Sequence, residues 1–299
     1  DGGSFLGSDK SSTISLSLSV LEYRQHHGRT YPNFRDVQCW HPNDEQHLKS
    51  LDIMHHTVLL YDKKKLFHAP VENPQRVLDI GTGTGIWAIE FADQFPSASV
   101  TGTDVSPNQP EWVPPNCRFV LEDANLEWGF SDDVFDLIHV RGLTGSINDW
   151  KKFYEEAYRC LKPGGWIEHT EASVNVTSDD GSTPAGGVYS HWTQIFIEAS
   201  EKTGKTFNPN EKNEACMEAA GFTKLQTRER KMPIGCWPKD QQLKEVGYFN
   251  LMGCEEGLEG YGLWILSQLL LWSYWEMKIF FALTRAAMRD PKIHAYYPW

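Results

Sequence analysis

The sequence lacks any C-x-x-C pair: its six cysteines, at positions 39, 117, 160, 216, 236 and 254, are scattered singly. No secretory pattern opens it, so the cysteines read as buried free thiols of a reducing compartment, not as a disulfide frame. It also lacks a basic face. There are 28 Lys and Arg against 40 Asp and Glu, the net charge is −12, and the one cationic cluster is Lys63–Lys65. A duplex-binding surface needs many phosphate-neutralising cations, which argues against nucleic acid as a partner. Long apolar runs are missing too. The charge-free stretch Gly260–Trp275 is 16 residues and carries Ser267, Gln268 and Ser273, short of the ~20 residues a membrane span needs. The pairs His26–His27 and His55–His56 are adjacent, not at the i, i+4 spacing that sets two ligands on one helix face, and no metal is expected.

What is present is a 299-residue chain that is 40% apolar, enough for one large elaborated domain. Residues 1–17 are rich in Gly, Ser and Thr and read as a disordered tail. An N-terminal helical cover is expected over 18–72, with a first helix at Leu18–His27. A second helix starts at Pro42-Asn43-Asp44-Glu45 and carries Leu48, Leu51, Met54 or His55, Val58 and Leu59 at helical spacing. From Arg76 the pattern alternates. Strands are predicted at Arg76–Ile80, Ser99–Asp104, Arg118–Glu122, Phe135–Val140 and Gly165–Thr170, and helices at Ile86–Gln94 and Trp150–Leu161. Apolar strands alternating with helices predict an α/β fold with a parallel sheet covered on both faces. A polar link at Ser173–Gly187 leads to helices near Tyr189–Lys202 and Asn210–Ala220, then to a strand in Phe222–Gly235. The core is expected to span 73–235. A helical lid over 236–290, with one long apolar stretch at Leu258–Met288, precedes a last strand in 291–299.

The stretch "RVLDIGTGTGIWAIEFAD" sets Gly81, Gly83 and Gly85 at the end of the first core strand, where a helix is about to start. Glycine there lets backbone N–H groups approach a ligand, and the helix start offers its N-terminus. A dinucleotide site needs G-x-G-x-x-G, but position 86 is Ile86. Asp79 would also repel a pyrophosphate; it suits a ligand carrying an ammonium and a sulfonium, as S-adenosylmethionine does. Asp104, followed by Val105, ends the second core strand and can accept two ribose hydroxyls. Asp123, followed by Ala124, ends the third and can accept an adenine amino group. One acid per successive strand end lays an adenosyl group across three strands.

The blocks "DIGTGTGIWAIEFAD", "GTDVSPNQPEWVPPNCRFVLEDA", "FDLIHVRGLTGSINDW", "LKPGGWIEHTE" and "RDPKIHAYYPW" resemble a class I S-adenosylmethionine-dependent methyltransferase. More narrowly, they resemble the LaeA-like methyltransferases of fungal secondary metabolism, over roughly Tyr23 to Trp299. The resemblance implies a Rossmann-like, seven-stranded sheet, mostly parallel with the last strand antiparallel, and an N-terminal helical cover. It also implies that Arg141, at the end of the fourth core strand, lies near the methionyl part of the cofactor. Members divide between regulators in a nuclear complex and enzymes that methylate small molecules, and a few related folds steer non-methylating steps.

Methyl transfer is an in-line displacement, driven mostly by holding the nucleophile ~3–3.5 Å from the methyl carbon. A base is needed only for a hydroxyl or a protonated amine. Candidates are His139 on the fourth core strand and His169 or Glu171 on the fifth. Tyr23 and Tyr31 on the cover, with Trp264, Trp272 and Trp275 in the lid, are candidate substrate contacts. The reading is a cytoplasmic methyltransferase for a small apolar or aromatic metabolite, modified on O, N or C. Its alternatives are a nuclear regulatory methyltransferase working with protein partners and a non-methylating biosynthetic protein.

Overall fold

The computed structural model describes residues 22–34, 39–209 and 212–299. The expected tail at 1–17 and the expected start of a first helix at Leu18 lie outside them. The chain instead opens on a hairpin of β1 (Arg24–His26) and β2 (Arg29–Tyr31), turned at His27 and Gly28 with positive φ, where a helix was expected. Arg29 forms a two-point ion pair with Asp44 (2.5 and 2.7 Å), and Asp44 also caps the next helix through the His47 N–H. That pairing needs the extended hairpin arm, which local helical periodicity could not reveal.

Helix α1 (Glu45–Tyr61) follows, and then the core: β3 (Arg76–Ile80), α2 (Ile86–Gln94), β4 (Ser99–Asp104), β5 (Cys117–Leu121), β6 (Phe135–Arg141), α3 (Trp150–Cys160) and β7 (Leu161–Thr170). The five strands form one parallel sheet in the order β5-β4-β3-β6-β7. Val77, Leu78 and Ile80 of β3 are buried because helices cover both faces. Val77, Val100 and Leu137 pack with Trp87 and Phe91 of α2 on one face; Leu78, Ile80, Ile138 and Val140 pack with Trp150, Phe153 and Tyr154 of α3 on the other. Strand order reverses beside β3, so a cleft opens at its carboxyl end.

Beyond β7 come α4 (Val188–Thr203), α5 (Asn213–Ala220), β8 (Lys231–Pro233), α6 (Gln241–Trp264), α7 (Tyr274–Arg289) and β9 (Tyr296–Pro298). The expected seven-stranded sheet is five-stranded among the described residues, and β8 and β9 form a separate antiparallel pair. The last strand is antiparallel, as expected, but it meets only the segment after β7, through Ser173 N–H to Pro298 O (2.8 Å) and the two reciprocal bonds of the bridge Thr177–Tyr296 (2.9 Å each). Between those bonds Val174 and Val176 border a cavity, which interrupts the ladder. Of the expected strand in Phe222–Gly235 only Lys231–Pro233 forms a strand, extended by backbone bonds of Arg230 to Trp299 and Ile234 to Ala295.

The lid helix begins at Gln241, not near Leu258, and does not run unbroken to Met288. It widens into a π-turn at Ile265–Leu269, passes Leu271 at φ +57°, and restarts at Ser273, whose side chain and that of Glu276 form a reciprocal capping box.

Helix α1 lies against α6 along a seam of glycines. A Cβ at Gly253 would stand 2.9 Å from Met54 Sδ, one at Gly257 would stand 3.0 Å from Ser50 Oγ, and one at Gly260 would stand 2.5 Å from His47 Nδ1. Glycine in a helix costs about 1 kcal/mol against alanine, so propensity alone favours Gly260→Ala. The rigid imidazole facing it reverses that sign: overpacking here should cost about 1–3 kcal/mol and lower the melting temperature by several degrees. Thermal unfolding of Gly260→Ala checks this, and a raised melting temperature would show that the seam is not close-packed.

Candidate active site

One cavity of about 350 Å³ occupies the cleft at the carboxyl ends of β3, β4, β5 and β6 and continues beneath α1, α4, α6 and α7. Its size is that of small-molecule sites. Asp79, Gly81, Gly83, Asp104, Val105, Asp123, Ala124 and Arg141 line it, together with His139 and Glu171. Gly85 does not. It caps α2 at φ +81°, where a Cβ would strike Phe119 at 2.4 Å. Gly81 (φ +69°) is filled against by Leu143, whereas at Gly83 (φ +58°) a Cβ would meet only Leu51, at 3.5 Å. Two of the three glycines thus serve the turn and its packing, and Gly83 leaves backbone open to the cavity.

The acids are preset. Asp79 is 3% exposed; its oxygens accept from Thr82 Oγ1 (2.6 Å) and face His139 Nδ1 (2.7 Å). Trp87 lies flat on the His139 ring, 3.8 Å between centroids, and fixes its plane. Asp104 accepts the Gly83 N–H (2.8 Å) and the Ser106 N–H (2.9 Å), one per oxygen. Desolvation raises its pKa to about 6 against the pull of those two donors. Asp123 Oδ1 accepts from both the backbone and the side chain of Asn125 (2.9 and 3.0 Å).

Arg141 Nη2 donates to His55 Nδ1 (2.9 Å), so His55 carries its proton on Nε2, 3.1 Å from Glu90. Burial, then the Arg141 charge, push the His55 pKa down to about 2, and it stays neutral. Helix α1 also touches the glycine loop, through Leu51 over Gly83 and through Asp52, which accepts from Thr84 Oγ1 (2.7 Å). His41, Asn43, His47, Leu51, Met54 and His55 all line the cavity. The sequence reading took this helix face as apolar cover; its signal was the run His47, Leu51, Met54 and His55 along one side of α1.

The fifth-strand candidates part company. Glu171 reaches the cavity, but its oxygens accept from the Leu143 N–H (2.6 Å), the Thr144 N–H (3.3 Å) and Thr144 Oγ1 (2.8 Å). His169 is buried behind it and does not line the cavity. Since a carboxylate only accepts, His169 gives its Nε2–H to Glu171 (2.8 Å) and receives the Tyr154 hydroxyl on Nδ1 (2.7 Å). The chain Tyr154–His169–Glu171 pins the loop after Arg141, where a general base was expected.

The five expected substrate contacts also lie elsewhere: none of Tyr23, Tyr31, Trp264, Trp272 and Trp275 borders the cavity. Tyr31 is buried under the hairpin, Trp272 packs edge-on against Phe280, and Trp275 is 72% exposed. The break at Leu271–Ser273 turns α7 so that Thr284 and Met288 face inward, while α6 supplies Cys254, Leu258 and Tyr261. The aromatic wall comes instead from Trp40, Tyr189, Trp192, Phe196, Tyr297 and Trp299. Among the described residues no helix is long and apolar enough to cross a membrane, and no group of His, Cys, Asp and Glu is arranged to hold a metal ion. Of the six free cysteines, Cys117 and Cys160 are buried and Cys236 is exposed.

Residues 54–227 match a family model described as a methyltransferase domain. The chain is 37% identical over 290 residues to methyltransferase pytC of Aspergillus terreus, covering 96% of this chain and 89% of that protein. It is 34% identical to the secondary metabolism regulator LAE1 of Cochliobolus heterostrophus (90% of each chain). With the protein-methionine methyltransferase laeA of Emericella nidulans the identity is 31%, over 92% of this chain and 74% of the relative. In fold it is similar to phosphoethanolamine N-methyltransferase 2 of Haemonchus contortus, solved with S-adenosylhomocysteine, with a TM-score of 0.51 at 18% identity, covering 90% of this chain and 60% of that one. An acid-lined cleft at the switch point of a parallel sheet, with a glycine loop open to it, fits an adenosyl sulfonium donor. The chain belongs to the LaeA-like methyltransferases of fungal secondary metabolism and is an S-adenosylmethionine-dependent enzyme.

Proposed function

We propose that the enzyme methylates a small, neutral, apolar natural product held in the same cavity as the donor. The observation that carries this reading is the polarity of the wall. The acids Asp79, Asp104, Glu122 and Asp123 gather at the strand ends. The arm bounded by Trp40, Val174, Val176, Tyr189, Trp192, Phe196, Ile234, Leu258, Tyr261, Met288 and Tyr297 carries no charged side chain. A charged acceptor would lose its hydration there with nothing to replace it.

In this reading Asp104 takes the ribose hydroxyls, Asp123 the adenine amino group, and Gly83 with Asp79 the methionyl end. Bound there, S-adenosylmethionine supplies an electrophilic methyl group. The protein's part is to orient and to exclude water. Arg141, held by His55, closes the boundary between the acids and the uncharged arm, and Glu171 fixes the Leu143–Thr144 loop beside it. His139 and His169 are engaged in internal hydrogen bonds, so positioning, not a free side-chain base, provides the rate. The six free thiols suit a reducing compartment, and we place the enzyme in the cytoplasm.

A second reading, a methyltransferase that works within a protein complex, is favoured by one feature: Trp275, Ile279 and Leu283 form an exposed apolar stripe on α7, with Leu271 exposed just before it. The fate of the methyl group separates the two. With a methyl-labelled donor and a fungal extract, mass spectrometry should find the label in extractable small molecules. Label confined to protein would overturn the first reading in favour of the second.

Donor binding tests Asp104. Asp104→Ala should weaken S-adenosylhomocysteine at least about tenfold by calorimetry, since it removes charge-assisted bonds of about 1.5–3 kcal/mol each. The wild-type affinity should be level above about pH 7 and fall as pH drops through about 6, where the carboxylate takes a proton that ribose binding must expel. For the unliganded protein the sign is opposite: a raised carboxyl pKa favours folding at low pH, and that contribution is lost as pH rises from 3.8 through about 6. A flat affinity profile through pH 6 would remove Asp104 from the donor site.

A further inference from the structure

The uncharged arm satisfies most of its polar groups internally. Tyr297 donates its hydroxyl to Asn250 Oδ1 (2.6 Å), Asn250 Nδ2 donates to Pro233 O (2.7 Å), and Thr284 Oγ1 donates to Phe280 O (2.8 Å). Two groups stand apart: the Tyr189 hydroxyl and the Trp299 indole N–H are buried and have no hydrogen-bond partner among the described residues. Both residues line the cavity, and Tyr189 is 4% exposed. Burial pushes the Tyr189 hydroxyl pKa up, which keeps it a neutral donor.

Their placement in the fold brings them to one part of the wall. Tyr189 sits in the first turn of α4, which is tied to the segment after β7 by Thr193 Oγ1 donating to Val174 O (3.0 Å). Trp299 follows β9, which is tied to the same segment by the Ser173 N–H to Pro298 O bond. Both elements are thus anchored on the Ser173–Val174 segment, and both side chains share the cavity wall with Val174 and Val176. An indole N–H only donates, and leaving a buried donor unpaired is costly, so a matching ligand group must accept. A carboxylate or phosphate would accept, but among the described residues no cation lines this arm to balance its charge. A neutral carbonyl oxygen accepts without that penalty. The unpartnered Asn43 Oδ1 and His47 ring belong to the roof over Ser106 and the α1–α6 seam, and offer acceptors as well as donors.

We infer that Tyr189 and Trp299 are specificity residues that receive a carbonyl oxygen of the methyl acceptor, making the substrate class a neutral, oxo-bearing aromatic or polyketide-like molecule. The inference rests on the reading that the uncharged arm holds the acceptor.

The test uses a matched planar pair, 9-fluorenone and fluorene, which differ in the oxo group alone. Equilibrium dialysis is run on protein saturated with S-adenosylhomocysteine. Fluorene is the more apolar, so burial alone favours it. The wild type should nevertheless bind fluorenone about tenfold more tightly. Tyr189→Phe, and separately Trp299→Phe, should erase that preference while leaving S-adenosylhomocysteine affinity unchanged; Tyr189→Phe, which removes a hydroxyl alone, should also leave fluorene binding unchanged. Equal binding of the two probes by the wild type, or a preference that survives both substitutions, overturns the carbonyl assignment and leaves the acceptor arm standing. If neither probe binds, the arm does not hold neutral planar molecules, and the reading under Proposed function fails along with this inference.

Discussion

The site depends on the close approach of α1 to α6. Three glycines on one side of α6 admit Met54, Ser50 and His47, and only at that distance can α1 reach the core on its other side. There it sets Leu51 over Gly83, bonds Thr84 through Asp52, and receives Arg141 on His55. A wider seam would lift all three contacts together. The roof is thus one packed unit: the helix that covers the glycine loop is the helix that the wall of the uncharged arm rests on.

Polarity is sorted along the cavity by topology. Parallel strands end on one side, and Asp79, Asp104 and Asp123 each sit at or just past such an end, so the negative charge gathers there. The other arm is built from Trp40 and from elements added after the fifth core strand, whose inward residues are mostly aromatic or aliphatic. Arg141, among the described residues the one lysine or arginine in the cavity wall, stands between the arms with its charge balanced by Asp79 and Glu90. An adenosyl sulfonium and a neutral acceptor can then share one enclosure without competing for the same wall.

The core was legible in the sequence because its signals are local. Strands β3 and β4 and helix α2 fall where the apolar runs and the glycine loop put them, and the acids that end β4 and follow β5 line the cleft. The hairpin at Arg24–Tyr31 was misread as a helix because its reason is a distant one, the Arg29–Asp44 pair. Trp264, Trp272 and Trp275 were read as pocket because composition says how many aromatics there are, not which way they face; around the last two, Leu271 in the left-handed region and the Ser273–Glu276 cap decide that. His169 had the right strand face but stops one layer behind the wall, and only the Tyr154 contact shows it. The glycines of α6 carried a readable signal, since four spaced through Gly253–Gly262 are too many for an exposed helix.

The most direct measurement of this arrangement is a crystal structure with S-adenosylhomocysteine bound. The account predicts the adenine at Asp123, the ribose on Asp104, the carboxylate end near Gly83, and the sulfur directed into the arm walled by Trp40, Tyr189 and Tyr261. A nucleoside lying in that uncharged arm, or a sulfur facing open solvent, would contradict it.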